Sequence, residues 1–298
     1  MIRNQPPRAQ TIHMNKKNLF DLTYYPGCSL KTSSQENNAS LIYLFEHLGY
    51  NLIELEDWNC CGSSSAHSID TELAFDLASR NLSLAPTDRP LLVACPSCLL
   101  RLRSAYLHLD QEEPARRHYE KMWAKPFDPK LKIMHFFEFL DQIDLPGYAR
   151  DGIGRLQGLK FVPYYGCMLA RPPIMRQEKN YHGLMEKILA NLGATAEKWS
   201  FSSRCCGTFL TVARPEVVEP MVNEIIQGAL DTGAECIVTA CAMCHMNLEV
   251  RCSLKEKIPI LHFSEIISLA LGIGKSEYKG WFSRHLVDPT PLLKVLNL

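Results

Sequence analysis

The chain has 298 residues, 46% of them hydrophobic, with 32 basic side chains balanced by 32 acidic ones. That is enough apolar material for one large or two ordinary domains, each with its own core. Zero formal net charge leaves no basic field of the kind that gathers nucleic acid, so that class of function is set aside.

The opening stretch, MIRNQPPRAQTIHMNKKN, lacks the apolar segment of a secretory signal. Residues 1–19 are expected to form a mobile polar tail, and Met14 is an alternative start. The most apolar run, IPILHFSEIISLALGIG, is broken by His262, Ser264 and Glu265. It therefore falls short of the ~18–20 apolar residues that cross a bilayer. A cytoplasmic chain with no direct membrane insertion is expected. In that compartment twelve cysteines point to metal or redox chemistry rather than to structural disulfides.

In chain order, LFDLTYYP reads as a strand that feeds Cys28 in YYPGC. Leu41, Leu44, Phe45 and Leu48 then recur at helical spacing. YNLIELE is a second strand and leads to the adjacent pair Cys60 and Cys61, followed by Gly62. A helix over about 70–84 precedes a third strand, PLLVAC, which delivers Cys95 and Cys98 in CPSC. Residues 99–144 read as helices that extend this first unit. LPGYARDGIGRLQG, glycine-rich and polar, suits a linker.

The same order then returns. LKFVPYY is a strand that feeds Cys167 in YYGC. Tyr181, Leu184, Met185, Ile188, Leu189 and Leu192 mark a helix, and ATAEKWS is a weaker strand before Cys205, Cys206 and Gly207. A helix over about 214–231, with Pro215 in its first turn, carries an apolar face from Val217 to Leu230 that is expected to be core. ECIVTAC is the third strand and ends at Cys241 and Cys244 in CAMC. The tail WFSRHLVDPTPLLKVLNL mixes apolar and basic residues and is a candidate to dock a partner subunit.

Ten of the twelve cysteines obey this duplication. The Cys28-to-Cys60 gap is 32 positions and its counterpart, Cys167 to Cys205, is 38. The expected fold is α/β: two homologous β-α-β-α-β domains with parallel sheets, over 20–150 and 151–298, related by a pseudo-two-fold axis. Each cysteine element follows the C-terminal end of a strand, the edge where ligand sites of open α/β sheets gather. Five thiolates meeting there exceed what tetrahedral zinc needs and suit an iron–sulfur cluster. Adjacent cysteines are poorly placed to bond to each other, so Cys60 and Cys61 are expected to reach different atoms of one group. The CxxC pairs open helices, whose positive ends favour thiolate. Gly62 and Gly207 are expected to let the backbone bend close to a bulky ligand. Structural zinc, a thioredoxin-like dithiol and plain buried thiols remain as alternatives. Each explains part of the pattern. Cys236 and Cys252 lie outside the repeat and read as structural.

The segments YYPGC, EDWNCCGSSSAH and CPSC, with YYGCMLARPP, CCG and CAMCHMNLEVR, resemble the duplicated CCG domains of the cysteine-rich subunit of heterodisulfide reductase and its relatives, over about residues 20–290. The resemblance implies two non-cubane [4Fe–4S] clusters. Cys28, Cys60, Cys61, Cys95 and Cys98 would hold the first; Cys167, Cys205, Cys206, Cys241 and Cys244 the second. Zinc in one site is the minor alternative. It also implies the catalytic subunit of a thiol–disulfide oxidoreductase complex, with a disulfide cleaved or formed between clusters that face each other across the domain interface, in a setting that includes sulfur oxidation. No GxGxxG fingerprint is present for a nicotinamide. The implied partners are a ferredoxin-like iron–sulfur subunit and a flavoprotein subunit, and the implied substrate is a small thiol or disulfide, or a lipoyl carrier. The same domain occurs in succinate, glycolate, lactate and glycerol-3-phosphate dehydrogenase complexes. An electron-transfer or anchoring subunit with no substrate of its own is therefore the alternative. Beyond the cysteines, His67 and His245 are candidate proton donors to a thiolate. Arg171 is a candidate anchor for a substrate carboxylate or oxyanion. Tyr25 and Tyr165, just before the first cysteine of each half, are candidates to pack on a cluster or hydrogen-bond to it.

Overall fold

The computed structural model describes residues 19–63, 66–149, 155–178, 181–272 and 275–296. The tail expected over 1–19 and the middle of the expected linker, 150–154, lie outside these except for Leu19.

The first half runs β1 (Phe20–Tyr25), α1 (Gly27–Lys31), α2 (Gln35–His47), β2 (Tyr50–Glu54), α3 (Ala66–Ile69), α4 (Thr71–Leu84), β3 (Leu91–Val93), α5 (Pro96–Gln111), α6 (Glu113–Trp123), β4 (Ile133–His135) and α7 (Phe136–Leu140). The second half runs β5 (Lys160–Tyr164), α8 (Gly166–Ala170), α9 (Pro173–Glu178), α10 (Leu184–Ala190), β6 (Thr195–Ala196), α11 (Pro215–Leu230), β7 (Cys236–Thr239), α12 (Ala242–Arg251), β8 (Ile260–His262), α13 (Phe263–Ala270), α14 (Lys275–Phe282) and α15 (Thr290–Val295). Each half folds around a four-stranded parallel sheet, in the orders β2-β1-β3-β4 and β6-β5-β7-β8.

Local chemistry accounts for the boundaries. The Asp70 carboxylate accepts hydrogen bonds from the Glu72 and Leu73 amides and so caps α4. Proline stands in the first turn of α5 and of α11, where no amide proton is needed. Leu91, Leu92 and Val93 are all buried, as expected of a parallel strand covered on both faces. On α11 the expected core face is Val218, Val222, Ile225, Ile226 and Ala229, while Val217 is exposed.

The expected β-α-β-α-β order is present in both halves, and each half adds a fourth strand. β4 falls within the stretch expected to be wholly helical. Both added strands end in a histidine that caps the next helix. His135 and Glu138 form a capping box on α7, and His262 and Glu265 form one on α13. The sequence signature is a second internal repeat, HFFEFL at 135–140 against HFSEII at 262–267.

The two halves pack through these added elements. Phe137 and Phe263 meet at 4.6 Å between ring centroids, and Ser40 on α2 hydrogen-bonds to Ser264 at the start of α13 at 2.6 Å. The contacts are reciprocal: α5 packs against α8, and α1 against α12. The tail expected to dock a partner packs against its own chain. Trp281, Phe282, Leu292, Leu293 and Leu296 are buried, and Trp281 stacks edge-on against Tyr43 of α2 at 5.8 Å. Among the described residues no helix is long and apolar enough to cross a membrane.

Candidate metal centre

In each sheet the chain turns one way from its central strand to the second strand and the other way to the third, so a crevice opens at the C-terminal ends of β1 and β3, and of β5 and β7. Cys28 lies just past β1 and Cys95 just past β3. Cys60 and Cys61 arrive on the loop after β2. Cys28 Sγ is 3.8 Å from Cys60 Sγ, and Cys61 Sγ is 3.1 Å from Cys98 Sγ. Cys95 and Cys98 also interact, which closes the first quintet. In the second half Cys206 Sγ is 3.5 Å from Cys244 Sγ, Cys167 engages Cys205, and Cys241 engages Cys244. The two quintets are neighbours: the Cys95 and Cys241 thiols act on each other across the domain boundary. That the two sites face each other is what the family resemblance implies; which residues lie nearest the boundary has no marker in the sequence.

The backbone shapes each pocket from both sides. Gly27 and Gly166, one residue before Cys28 and Cys167, have φ of +70° and +69°. A Cβ at Gly27 would stand 3.0 Å from Cys98 Sγ, and one at Gly166 would stand 3.3 Å from Cys244 Sγ. These are the glycines that admit sulfur. Gly62 and Gly207, assigned that role from the sequence, have positive φ as well, but a Cβ there would strike Ala66 and Leu77, or Val218. Their need is to turn the chain tightly against α3 and α4, or against α11.

The Cys-Cys loops are fixed by tyrosines. Tyr25 donates its hydroxyl to Asn59 O at 2.8 Å, and Tyr164 donates to Arg204 O at 2.5 Å. In each case the acceptor immediately precedes the cysteine pair, and Trp58 or Trp199 packs on the tyrosine ring. The second member is therefore Tyr164, not Tyr165. Tyr165 turns toward α10, where it accepts from Met185 N and donates to Glu186. Cys205 Sγ accepts from the Gly207 amide at 3.3 Å, and Asn247 donates to Cys206 O at 2.7 Å.

Thiol–thiol hydrogen bonds dominate the electrostatics. Bonds from Cys60 and Cys98 hold Cys61 down at about 5, and a bond from Cys167 holds Cys205 down at about 6. Cys95 lies well below the ordinary thiol range, chiefly through Cys241 and then Cys98; the amides at the start of α5 add a smaller pull. The helix-end effect expected at the CxxC is real but secondary. Cys28 and Cys167 are pushed up, chiefly by their thiol contacts with Cys60 and Cys205 and then by burial. All twelve cysteines are free thiols. Each quintet has an accessible limb, Cys28 and Cys60 or Cys167 and Cys205, and a buried limb of three.

Of the other candidates, Arg171 is exposed at the end of α8, and its charge helps lower Cys205. His67 lies on α3 and lines a cavity formed with α4, α5 and α6; no cysteine lines it. His245 is buried. Its Nδ1 faces the Asn37 carboxamide at 3.1–3.2 Å, and its Nε2 faces Glu249. Cys236 is buried in β7, where burial pushes its thiol up, and Cys252 is buried at the end of α12.

The donor set fits a sulfur-ligated metal group. Two thiolates on one tetrahedral metal with bonds near 2.3 Å stand about 3.7 Å apart, close to the 3.8 and 3.5 Å measured for Cys28–Cys60 and Cys206–Cys244. Five sulfurs per pocket exceed a single tetrahedral ion and suit an iron–sulfur group.

Comparisons with known proteins agree with this geometry. A solved structure of a hypothetical protein from Helicobacter pylori shares the fold, with a TM-score of 0.71 and 13% identity over 90% of this chain. The match spans about half, 53%, of that longer chain. The 8-methylmenaquinol:fumarate reductase membrane anchor subunit of Wolinella succinogenes is 28% identical, over 91% of this chain and 99% of its own length. A subunit of the ferredoxin/F(420)H(2)-dependent CoB-CoM heterodisulfide reductase of Methanosarcina acetivorans is 25% identical, over 86% and 91%. Lactate utilization protein A of an Exiguobacterium species is 28% identical, over 81% and 94%. The family model for the CCG cysteine-rich domain matches twice, over residues 22–103 and 161–249. These two segments make up more than half of the chain and contain all ten clustered cysteines, so the chain belongs to the CCG cysteine-rich domain family, in duplicate.

Proposed function

We propose that this chain is the disulfide-handling subunit of a multi-subunit oxidoreductase, with one four-iron cluster of the non-cubane type in each cysteine quintet. Family membership and likeness to reductase subunits already make it a redox subunit. The observation that carries the finer reading is the proximity of the two quintets, whose Cys95 and Cys241 thiols act on each other between halves that pack α5 on α8 and α1 on α12. A disulfide couple exchanges two electrons, and a pair of such clusters supplies one-electron steps and iron that accepts thiolate.

The chain's own part is orientation. Gly27 and Gly166 leave room beside Cys98 and Cys244. Tyr25 and Tyr164 hold the Cys-Cys loops so that Cys60 and Cys61, or Cys205 and Cys206, stay on one rim. Arg171 adds positive charge next to Cys205, where an anionic thiol would be drawn. Electrons exchange with partner subunits, an iron–sulfur protein and a flavoprotein. Neither His67 nor His245 is given a proton-transfer role, since His67 lines a different cavity and both nitrogens of His245 face other side chains.

The test is anaerobic reduction of the purified protein, followed by addition of an organic disulfide such as oxidised lipoamide. Reoxidation that depends on the disulfide, with a changed electron paramagnetic resonance signal, is the expected result. About eight irons per chain are expected for two four-iron sites. The second reading, an electron-transfer or anchoring subunit without its own substrate, is favoured by the likeness to the Wolinella anchor subunit over 99% of that protein. A cluster signal that no disulfide alters, together with full iron content, would select it.

A further inference from the structure

The second half contains a buried polar cluster separate from the cysteines. His245 and Glu249 stand one turn apart on α12, Glu265 is in the first turn of α13, and His285 comes from the segment after α14. Their side chains are 5% exposed or less. His245 Nε2 lies 3.6 Å from Glu249 Oε1, and His285 Nδ1 lies 3.4 Å from the same oxygen. These three atoms are buried and none makes a hydrogen bond of normal geometry. Donor atoms of His245, Glu265 and His285 also fall within 4.8 Å of one another.

The remaining atoms of the cluster are committed elsewhere. His245 Nδ1 meets the Asn37 carboxamide. His285 Nε2 meets Glu265 Oε1 at 3.1 Å. Glu249 Oε2 accepts from Leu286 N at 2.9 Å, and Glu265 Oε2 accepts from His262 N at 2.8 Å. Each histidine thus has one nitrogen fixed by an oxygen-bearing side chain and one turned toward Glu249. That is how metal-binding imidazoles are oriented from behind. Charge points the same way. Two carboxylates this deeply buried are costly unless matched, and a divalent cation would match both.

We propose that His245 Nε2, Glu249 Oε1 and His285 Nδ1 hold a divalent metal ion, with Glu265 orienting His285 and balancing charge. Two imidazoles and a carboxylate suit zinc. Ligand edges of 3.4 and 3.6 Å match bonds of about 2.0–2.1 Å in a tetrahedral site. The ion would tie the cluster-bearing helix α12 to the C-terminal segment, with Asn37 of the first half held against it. The site shares no ligand with either quintet, so it stands or falls independently of the disulfide reading.

The test is metal analysis of the anaerobically purified full chain beside Glu249→Gln and His285→Asn. About one zinc per chain is expected in the wild type and less than ~0.2 in each variant, with iron content unchanged. Because either variant could misfold, wild type produced in zinc-poor, cobalt-supplemented medium supplies a second readout. Bound cobalt is expected to give ligand-field bands without thiolate-to-metal charge transfer. Absence of any stoichiometric non-iron ion from the wild type overturns the proposal. So does zinc retained in folded variants, or a cobalt spectrum dominated by thiolate.

Discussion

The two halves repeat the same strand, histidine cap and carboxylate, yet they treat the carboxylate differently. In the first half Glu138 meets Arg103, eight residues past Cys95, through both oxygens at 3.0 Å, and Tyr181 from the other half joins it. In the second half the residue eight past Cys241 is Glu249. The duplicated frame therefore places a second acid where its twin has an arginine. The C-terminal segment answers by inserting His285 between Glu249 and Glu265, beside His245 at 4.6 Å between rings. Equivalent backbone positions thus carry a closed ion pair in one half and, in the other, a cluster of two acids and two histidines with three orphaned atoms. A scaffold can keep its geometry through a charge reversal if a later segment supplies the compensating group.

The sharpest way to break this comparison is to open the closed pair. Arg103→Met leaves Glu138 buried without its cation, and the expected loss is about 3–5 kcal/mol in denaturant unfolding. A loss under about 1 kcal/mol would mean the first half is no better matched than the second. The next effect tests a feature the halves share, the buried histidine that ends the fourth strand. Burial pushes His135 down to about 4, and His262 is driven the same way. The unfolded chain binds these protons near pH 6.5, before the native state does. Stability should therefore fall as pH drops from 6.5 toward 4, with His262 extending the fall in the same direction. His135 alone accounts for about 3 kcal/mol of that fall. A pH titration of the unfolding free energy that stays flat in this window would contradict the burial argument.

A smaller change calibrates ordinary local structure. Asp70→Ala removes the cap of α4 and is expected to cost about 1 kcal/mol by the same measurement. The last comparison is the most diagnostic of the second half. In protein freed of divalent metal, Glu249→Gln removes one of two crowded acids and leaves the His285–Glu265 pair intact. Its expected cost is nevertheless smaller than that of Arg103→Met, because Glu265 still pairs with His285, although burial is opposed by His245 and His285, which hold Glu249 down at about 2. A penalty as large as that of Arg103→Met would show that the two networks are equivalent after all.

Much of the fold was legible because it rests on long-period signals. The duplicated cysteines, the apolar strands LTYY and LLV, and the Pro215 helix start all act through neighbours in sequence. β4 was not legible. Three residues are too few to display a strand's alternation, and Ile133–His135 is enclosed by helical sequence. Its only marker was the HF-x-E echo at 135–138 and 262–265. The sequence points to Gly62 and Gly207 rather than to Gly27 and Gly166, because what a missing Cβ makes room for is decided by a side chain from another element.

By itself, then, the sequence determined that there are two copies of a parallel α/β unit, and that sulfur donors follow their strands. Composition, periodicity and repetition are properties of a chain read in order. Only the tertiary structure decided that Cys95 meets Cys241, that the C-terminal segment packs on its own core, and that His285 reaches the carboxylates of α12 and α13. These contacts join residues far apart in sequence. They arise from how two sheets and one returning segment share buried space, which no local pattern encodes.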